Sequence, residues 1–187
     1  AMLFDQRELG DAEAIYRKIL DKDRSQPVAL NMLGAIAYAA GAHGQAIDFV
    51  KMAIVESPKY SSAYNTLGRI YRSLERHDEA IEALKHSLRL NPDNPDVYFN
   101  MGSSLLELDE YSDALECSEE AISLEPENVD YLILNASILL EIERCDEAID
   151  VLDKVVSLDS SNQESYNLRG SASLMLGRYN QALESYQ

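Results

Sequence analysis

The sequence predicts an all-α protein, an α-α superhelix built from antiparallel helix pairs, on three observations. Alanine recurs every 34 residues without insertion or deletion, at Ala12, Ala46, Ala80, Ala114, Ala148 and Ala182. Glycine keeps the same period at Gly34, Gly68, Gly102 and Gly170, with Ala136 in its place once, and proline keeps it at Pro58, Pro92 and Pro126, with Ser160 in its place once. Apolar columns surround the glycine at helical spacing. A single globular core has no reason to hold such a period, whereas stacked two-helix units must each offer a small residue at the same crossing.

Each unit reads as a helix A and a helix B. The columns Leu30/Tyr64/Tyr98/Leu132/Tyr166 and Leu33/Leu67/Met101, with Ala37/Tyr71/Leu105/Leu139 one turn on, form one stripe of a 3.6-period helix. A glycine inside such a helix costs roughly 1 kcal/mol relative to alanine, so its recurrence implies a closely approaching neighbour. In the unit at 61–94, helix A is predicted over about 62–74 and helix B over about 78–90, joined by a turn at Glu75–His77. Asp78, Ser112, Asp146 and Asn180 stand two residues before the periodic alanine and are expected to cap helix B, a place held by Gly10 and Gly44 in the first two units. Asn94 followed by Pro95 is the expected start of the next helix A. The periodic proline, which cannot continue a helix, closes each unit.

The register gives a single array over 1–187, with full units at 27–60, 61–94, 95–128 and 129–162 and partial ones at 1–26 and 163–187. Leu3 falls in the Ala37/Tyr71 column and Gln187 falls partway along a helix B, so the chain is expected to be a piece of a longer protein. Apolar faces around Leu3 and Phe4, and around Met175 and Tyr186, would then favour self-association.

Tyr64-x-x-Leu67-Gly68-x-x-Tyr71, then Ala80, then Pro92, resembles the tetratricopeptide repeat, and Tyr98-x-x-Met101-Gly102-x-x-Leu105, with Ala114 and Pro126, repeats the match. The resemblance covers essentially the whole chain. Ankyrin repeats have a shorter period and a threonine-proline-leucine-histidine signature that is absent. Two departures stand out: Asn135-Ala136 replaces the leucine-glycine pair, and Arg169 replaces the leucine before Gly170, which predicts less regular packing toward the carboxyl end. The opening Ala12-Glu13-Ala14-Ile15-Tyr16-Arg17-Lys18-Ile19-Leu20 is similar to the first repeat of bacterial proteins in which repeats precede a transferase domain.

Charge is unevenly spread. Residues 95–128 carry ten acids and no base and 129–162 carry eight acids and two bases, so these units hold 16 of the 17 net negative charges. Nucleic acid is thereby excluded as a partner, because neutralising phosphate needs a basic surface. Acids such as Glu116, Glu119 and Glu120 read as the solvated outer face of helix B. The longest apolar stretch, Met32 to Ala42, is about 11 residues, too short to cross a membrane. Cys117 and Cys145 lie in different units and read as isolated reduced thiols, which points to an intracellular, cytoplasmic setting. The sequon at Asn135 falls inside a packed helix and is expected to be incompetent for glycosylation.

Catalytic chemistry has no foothold. His43 and His77 share a column without a second ligand at metal spacing and read as turn-packing residues. Acid pairs such as Glu119-Glu120 lie on helix surfaces rather than in a pocket, and there is no glycine-rich phosphate loop. The run Asn91-Pro92-Asp93-Asn94-Pro95-Asp96 lacks the glycine and terminal glutamate of a calcium loop. No catalytic residue, metal or cofactor is expected.

The surface remains. By the family resemblance, the side of helix A away from the packing stripe lines the concave groove of the superhelix and holds an extended peptide or a helix. That face presents Asn31, Ala35 and Tyr38; Asn65, Arg69 and Arg72; Phe99, Ser103 and Leu106; Ile133, Ser137 and Leu140; and Asn167, Ser171 and Leu174, with Asp96, Glu107, Asp130 and Glu141 on its flanks. Leu106, Leu140 and Leu174 form an apolar column one repeat apart, which suits apolar anchors of a partner or seals helix A against the next unit. The carboxyl half is expected to favour a peptide mixing apolar residues with lysine or arginine, and the Arg69/Arg72 region an acidic group. Family subtypes that clamp a carboxylate with lysine, or use an asparagine ladder, are not matched: no lysine lines the face, and only Asn100 fills the ladder column. The reading is a non-catalytic scaffold that binds a protein or peptide in its groove. The alternative is a recruitment or oligomerisation arm of a larger multidomain enzyme such as a transferase.

Overall fold

The computed structural model describes residues 6–187; Leu3 and Phe4, and the apolar face expected around them, lie outside the described residues. A single helix α1 (Gln6–Lys22) is followed by five pairs: α2 (Pro27–Ala39) and α3 (His43–Glu56); α4 (Ser61–Ser73) and α5 (His77–Leu90); α6 (Pro95–Glu107) and α7 (Tyr111–Leu124); α8 (Val129–Glu141) and α9 (Cys145–Leu158); α10 (Gln163–Met175) and α11 (Tyr179–Ser185). Corresponding helices begin 34 residues apart throughout these pairs, and no strand occurs among the described residues. Contacts group the helices into two compact units, one ending at Pro92 and one spanning Asp93–Gln187. Within the first, each helix packs on its sequence neighbour and α2 also touches α4; within the second, α6 touches α8 and α8 touches α10 in the same way. This is the consecutive-pair packing of the α-α superhelix class.

The helix pair is held by backbone proximity at the glycine. A Cβ on Gly34 would run into Val50, and one on Gly68 into Leu84, while the backbone oxygens of Ala46 and Ala80 lie only 3.1 and 3.3 Å from those points. At Gly102 the Ala114 oxygen is 3.3 Å away and Cys117 Cβ 3.2 Å. Ala46, Ala80, Ala114 and Ala148 are accordingly fully buried. One turn beyond the alanine, Val50 and Leu84 fill the notch that the glycine leaves. Ser118 stands there in the third pair and is too small to do so, and Leu134 of α8 closes in to 3.4 Å of the Gly102 position. Asn135, in place of the usual leucine, donates to Ser118 Oγ at 2.9 Å and is buried, in keeping with a sequon that is closed off.

The A-to-B turn shows what the helix pattern left undrawn. Gly41, Glu75, Asp109, Glu143 and Gly177 are one column, and all five have positive φ, between 58 and 76°. The Glu75 amide donates to the Arg72 carbonyl (2.9 Å) and the Arg76 amide to the Tyr71 carbonyl (3.0 Å), the two bonds of a Schellman close. Arg76 then serves as the N-cap of α5. Helix B therefore starts at His77, Tyr111, Cys145 and Tyr179, two residues earlier than the expected caps require. Asp78, Ser112, Asp146 and Asn180 sit inside the first turn, and the N-cap residues make no side-chain cap bond. Asp78 and Asp146 contribute there through their charge at the positive helix end. Gly44 lies likewise within α3, and Gly10 lies inside α1, which runs unbroken through a stretch of good helix formers. Asn94 stands at the N-cap of α6 with Pro95 behind it but makes no side-chain bond, whereas Asn128 and Asn162 do cap α8 and α10.

The B-to-A junctions follow from proline. Ser57, Asn91 and Glu125 each precede it and are extended, as the ring demands. Asp159 adopts the same geometry before Ser160 because its carboxylate accepts from the Ser161 amide (3.0 Å) and hydroxyl (2.7 Å), bonds that hold it below the ordinary aspartate range. Asp23 and Ser25 make the same turn. The carbonyl at the proline column takes a hydroxyl from Tyr64 at Pro58 and from Tyr166 at Ser160, both at 3.3 Å. Leu132 replaces that tyrosine in the unit at 129–162, and Lys154 reaches Pro126 O instead, at 2.7 Å.

At the carboxyl end polar ties take the place of an apolar contact. Arg169 donates to Asp153 (2.8 Å) and to Ser185 Oγ (3.1 Å), and its guanidinium lies 5.3 Å over the Tyr166 ring. Tyr186 lays its ring over Gly170 and is still 49% exposed. Leu174, Met175, Tyr179 and Leu183 are exposed beside it. Cys117 and Cys145 are buried, and no disulfide joins them.

Two outcomes test this account in denaturant unfolding of the full chain. Ala114→Leu forces a larger side chain into the crossing and should lower stability by about 1–3 kcal/mol. Glu143→Gly relieves a left-handed glutamate at the cost of unfolded-state freedom and should raise stability by about 0.5–1 kcal/mol.

Candidate functional site

The expected binding face lies on the A helices, and each unit carries its own part. In the first unit, Asn31 of α2 is buried and its Oδ1 has no hydrogen-bond partner, so it belongs to the packing and not to an open surface. Tyr38 is half-buried with its ring 5.6 Å from His43. On α4, Arg69 is exposed, and Asn65 and Arg72 are half-buried and engaged in contacts. This part of the face is basic.

The second unit joins α6, α8 and α10 into a surface of different chemistry. Ser103, Ser137 and Ser171 occupy one column, and each hydroxyl donates to the carbonyl four residues back, on Phe99 (2.8 Å), Ile133 (2.9 Å) and Asn167 (3.1 Å). Their donors are spent within the helix, so Ser103 and Ser137 offer oxygen lone pairs, while Ser171 Oγ also lies 3.3 Å from the Tyr186 hydroxyl. Leu106 and Leu140 flank the row half-buried, and Leu174 is 47% exposed. Glu107 and Glu141, one helix apart, are exposed beside them, and so is Asn167. Ile133 is buried and acts as floor.

A residue that the periodicity did not single out organises the amino end of this surface. Tyr131 stands in the column Ala29/Ala63/Val97/Ser165, where every other member is small or β-branched. Only 3% exposed, it crosses from α8 to α6, donating to Asp96 Oδ1 at 2.8 Å with its ring 5.4 Å from Phe99. Asp96 and Phe99 are thereby positioned by a neighbouring helix. Burial first, then the bond to Asp96, pushes the Tyr131 phenol well above the ordinary tyrosine range. The misfit of an aromatic residue in a small column was the available signal. A second feature was also missed: a cleft between α7 and α9, which the outer-face acids Glu119 and Asp150 border.

His43 and His77 head α3 and α5, half-buried, and Nδ1 of each is buried without a hydrogen-bond partner. Among the described residues no three His, Cys, Asp or Glu side chains converge as a metal set, and no helix is long and apolar enough to cross a membrane.

The sequence matches the family model described as TPR repeat over residues 68–109 and the model described as Tetratricopeptide repeat over 3–61, 99–165 and 133–187. No curated protein matches it. Among solved structures, PilF of Pseudomonas aeruginosa is similar at a TM-score of 0.85 and 19% identity, over 96% of this chain and 82% of that one. YrrB, described as a TPR protein with an unusual peptide-binding site, is similar at 0.78 and 19% identity, over 91% and 88%. MamA is similar at 0.77 and 22% identity, over 95% and 89%. At such identities the likeness speaks to the fold.

The Tyr131 arrangement has a spectroscopic consequence. Because the folded state favours the neutral phenol, its contribution to stability is full below the ordinary tyrosine pKa of 10.0 and declines as pH rises past it. Ultraviolet titration of the folded chain should therefore show late-ionising tyrosine absorbance, one phenol of which disappears in Tyr131→Phe.

Proposed function

The chain belongs to the tetratricopeptide repeat family, and from that premise we propose that it is a non-catalytic scaffold that binds a segment of a partner protein along its A helices. The observation that carries this is the surface on α6, α8 and α10, where a row of hydroxyl acceptors lies between an apolar edge and two carboxylates. Such a surface complements an extended or helical segment that presents apolar anchors together with lysine, arginine or backbone N–H donors. Apolar burial sets most of the affinity, while Asp96, Glu107, Asp130 and Glu141 set orientation and association rate. The basic Arg69/Arg72 region of the first unit favours an acidic group. YrrB's described peptide binding is consistent with this use of the fold. The exposed apolar residues Leu174, Met175, Tyr179 and Leu183 support self-association as a second property.

Peptides selected on the full chain by display should mix apolar and basic residues. Leu106→Asp with Leu140→Asp should abolish their binding with helicity retained. Glu107→Lys with Glu141→Lys should weaken it by about tenfold at low salt and less at high salt, since exposed charges are screened. Parent-like binding by both double variants would refute the A-helix site.

A further inference from the structure

In the second unit the B helices α7 and α9 stand apart over α8, and the gap between them is a cleft of about 470 Å3. Leu132 and Leu139 of α8 form its bottom, and the half-buried Ile122 and Val151 form its walls. Both cations on the rim are already engaged, Arg144 with Glu147 at 2.6 Å and Lys154 with Pro126 O at 2.7 Å. Glu119 and Asp150, also on the rim, enter no ion pair among the described residues. The cleft is thus apolar below and anionic above.

The first unit shows what this space normally holds. Between α3 and α5, over α4, the Tyr64 ring stacks on His86 at 5.3 Å. The Tyr71 ring lies beneath Arg76 (4.5 Å) and Lys51 (5.9 Å). In the repeat register Leu132 replaces Tyr64, Leu139 replaces Tyr71, Lys154 replaces His86, and Glu119 replaces Lys51. The three rings are absent from the second unit, a carboxylate stands where the Lys51 ammonium stood, and the ammonium that Lys154 brings to the His86 place is held by Pro126 O.

We propose that the α7–α9 cleft binds a partner segment in which an aromatic side chain is flanked by lysine or arginine, supplying in trans the ring and the cation that the first unit supplies from its own chain. The ring buries between the half-buried Ile122 and Val151, over Leu132 and Leu139, which are only 2% and 4% exposed, and so leaves water. The flanking cation meets Glu119 and Asp150, and the surrounding field favours it, since residues 95–128 carry ten acids and no base. The site lies on a different face of α8 from Ser137 and Leu140, and it is independent of the A-helix surface.

The test uses the full chain, a fluorescein-labelled hexapeptide of alternating lysine and phenylalanine, and a lysine–serine control of equal charge. The lysine–phenylalanine peptide should bind more tightly than the control in anisotropy and should shift the methyl resonances of Ile122, Leu132, Leu139 and Val151. Leu139→Tyr, which restores the first unit's ring, and Glu119→Lys, which restores its cation, should each reduce the shifts at those methyls and lower affinity there by about tenfold. Glu119 is exposed, so Glu119→Lys decides the matter should Leu139→Tyr lose helicity. Shifts confined to Leu106 and Leu140, equal binding of the control peptide, or unchanged cleft binding in Glu119→Lys would each overturn the proposal. The first of these outcomes would leave the A-helix reading intact.

Discussion

Everything in this chain rests on how closely helix A approaches helix B. With glycine on one helix and alanine on the other, the Ala46, Ala80 and Ala114 carbonyl oxygens come within about van der Waals distance of where a Cβ would be. That approach fixes which face of each helix is buried and so which residues are left for solvent. It also fixes the period, because the crossing recurs only if both helices and both joints keep their length. In a stack where each unit touches only its neighbours, stability is a sum of such local terms.

Departures from the repeat are answered locally. Ser118 leaves a notch that Leu134 and Asn135 fill; Leu132 removes a tyrosine hydroxyl and Lys154 replaces its bond; Ser160 removes a proline and the Asp159–Ser161 turn keeps the extended geometry. Arg169 trades apolar contact for two hydrogen bonds and a ring contact. Each exchange involves side chains within reach of one another. The surface chemistry of the second unit could therefore diverge from that of the first while the backbone stayed in register.

Legibility divides along the same line. The helices were readable because alanine, glycine and proline columns report backbone sterics, which are identical in every repeat. The N-cap of helix B was misplaced by two residues because the Schellman close makes Arg76 and its counterparts the cap, a role that Asp78 mimics in sequence. The left-handed column was hidden because Glu75, Asp109 and Glu143 sit where only Gly41 and Gly177 advertise positive φ. On the candidate face, the serine row and the acidic flanks were visible at helical spacing, but the burial of Asn31 and Ile133 was not, since it depends on the neighbouring helix. Tyr131 escaped for the same reason: its partner Asp96 is 35 residues away.

The three-residue joint between helix A and helix B has every amide bonded back into helix A, and the residue that finishes one helix's close begins the next. No slack exists there for an added residue. The junction after helix B is longer and is closed by proline in some repeats and by an aspartate turn in others, so it has more than one solution. Over evolutionary time, insertions and deletions should accumulate after helix B and be purged before it. Relatives of this chain would then vary in length on one side of each pair only, and new loops would arise beside the proline carbonyls rather than across the left-handed turns.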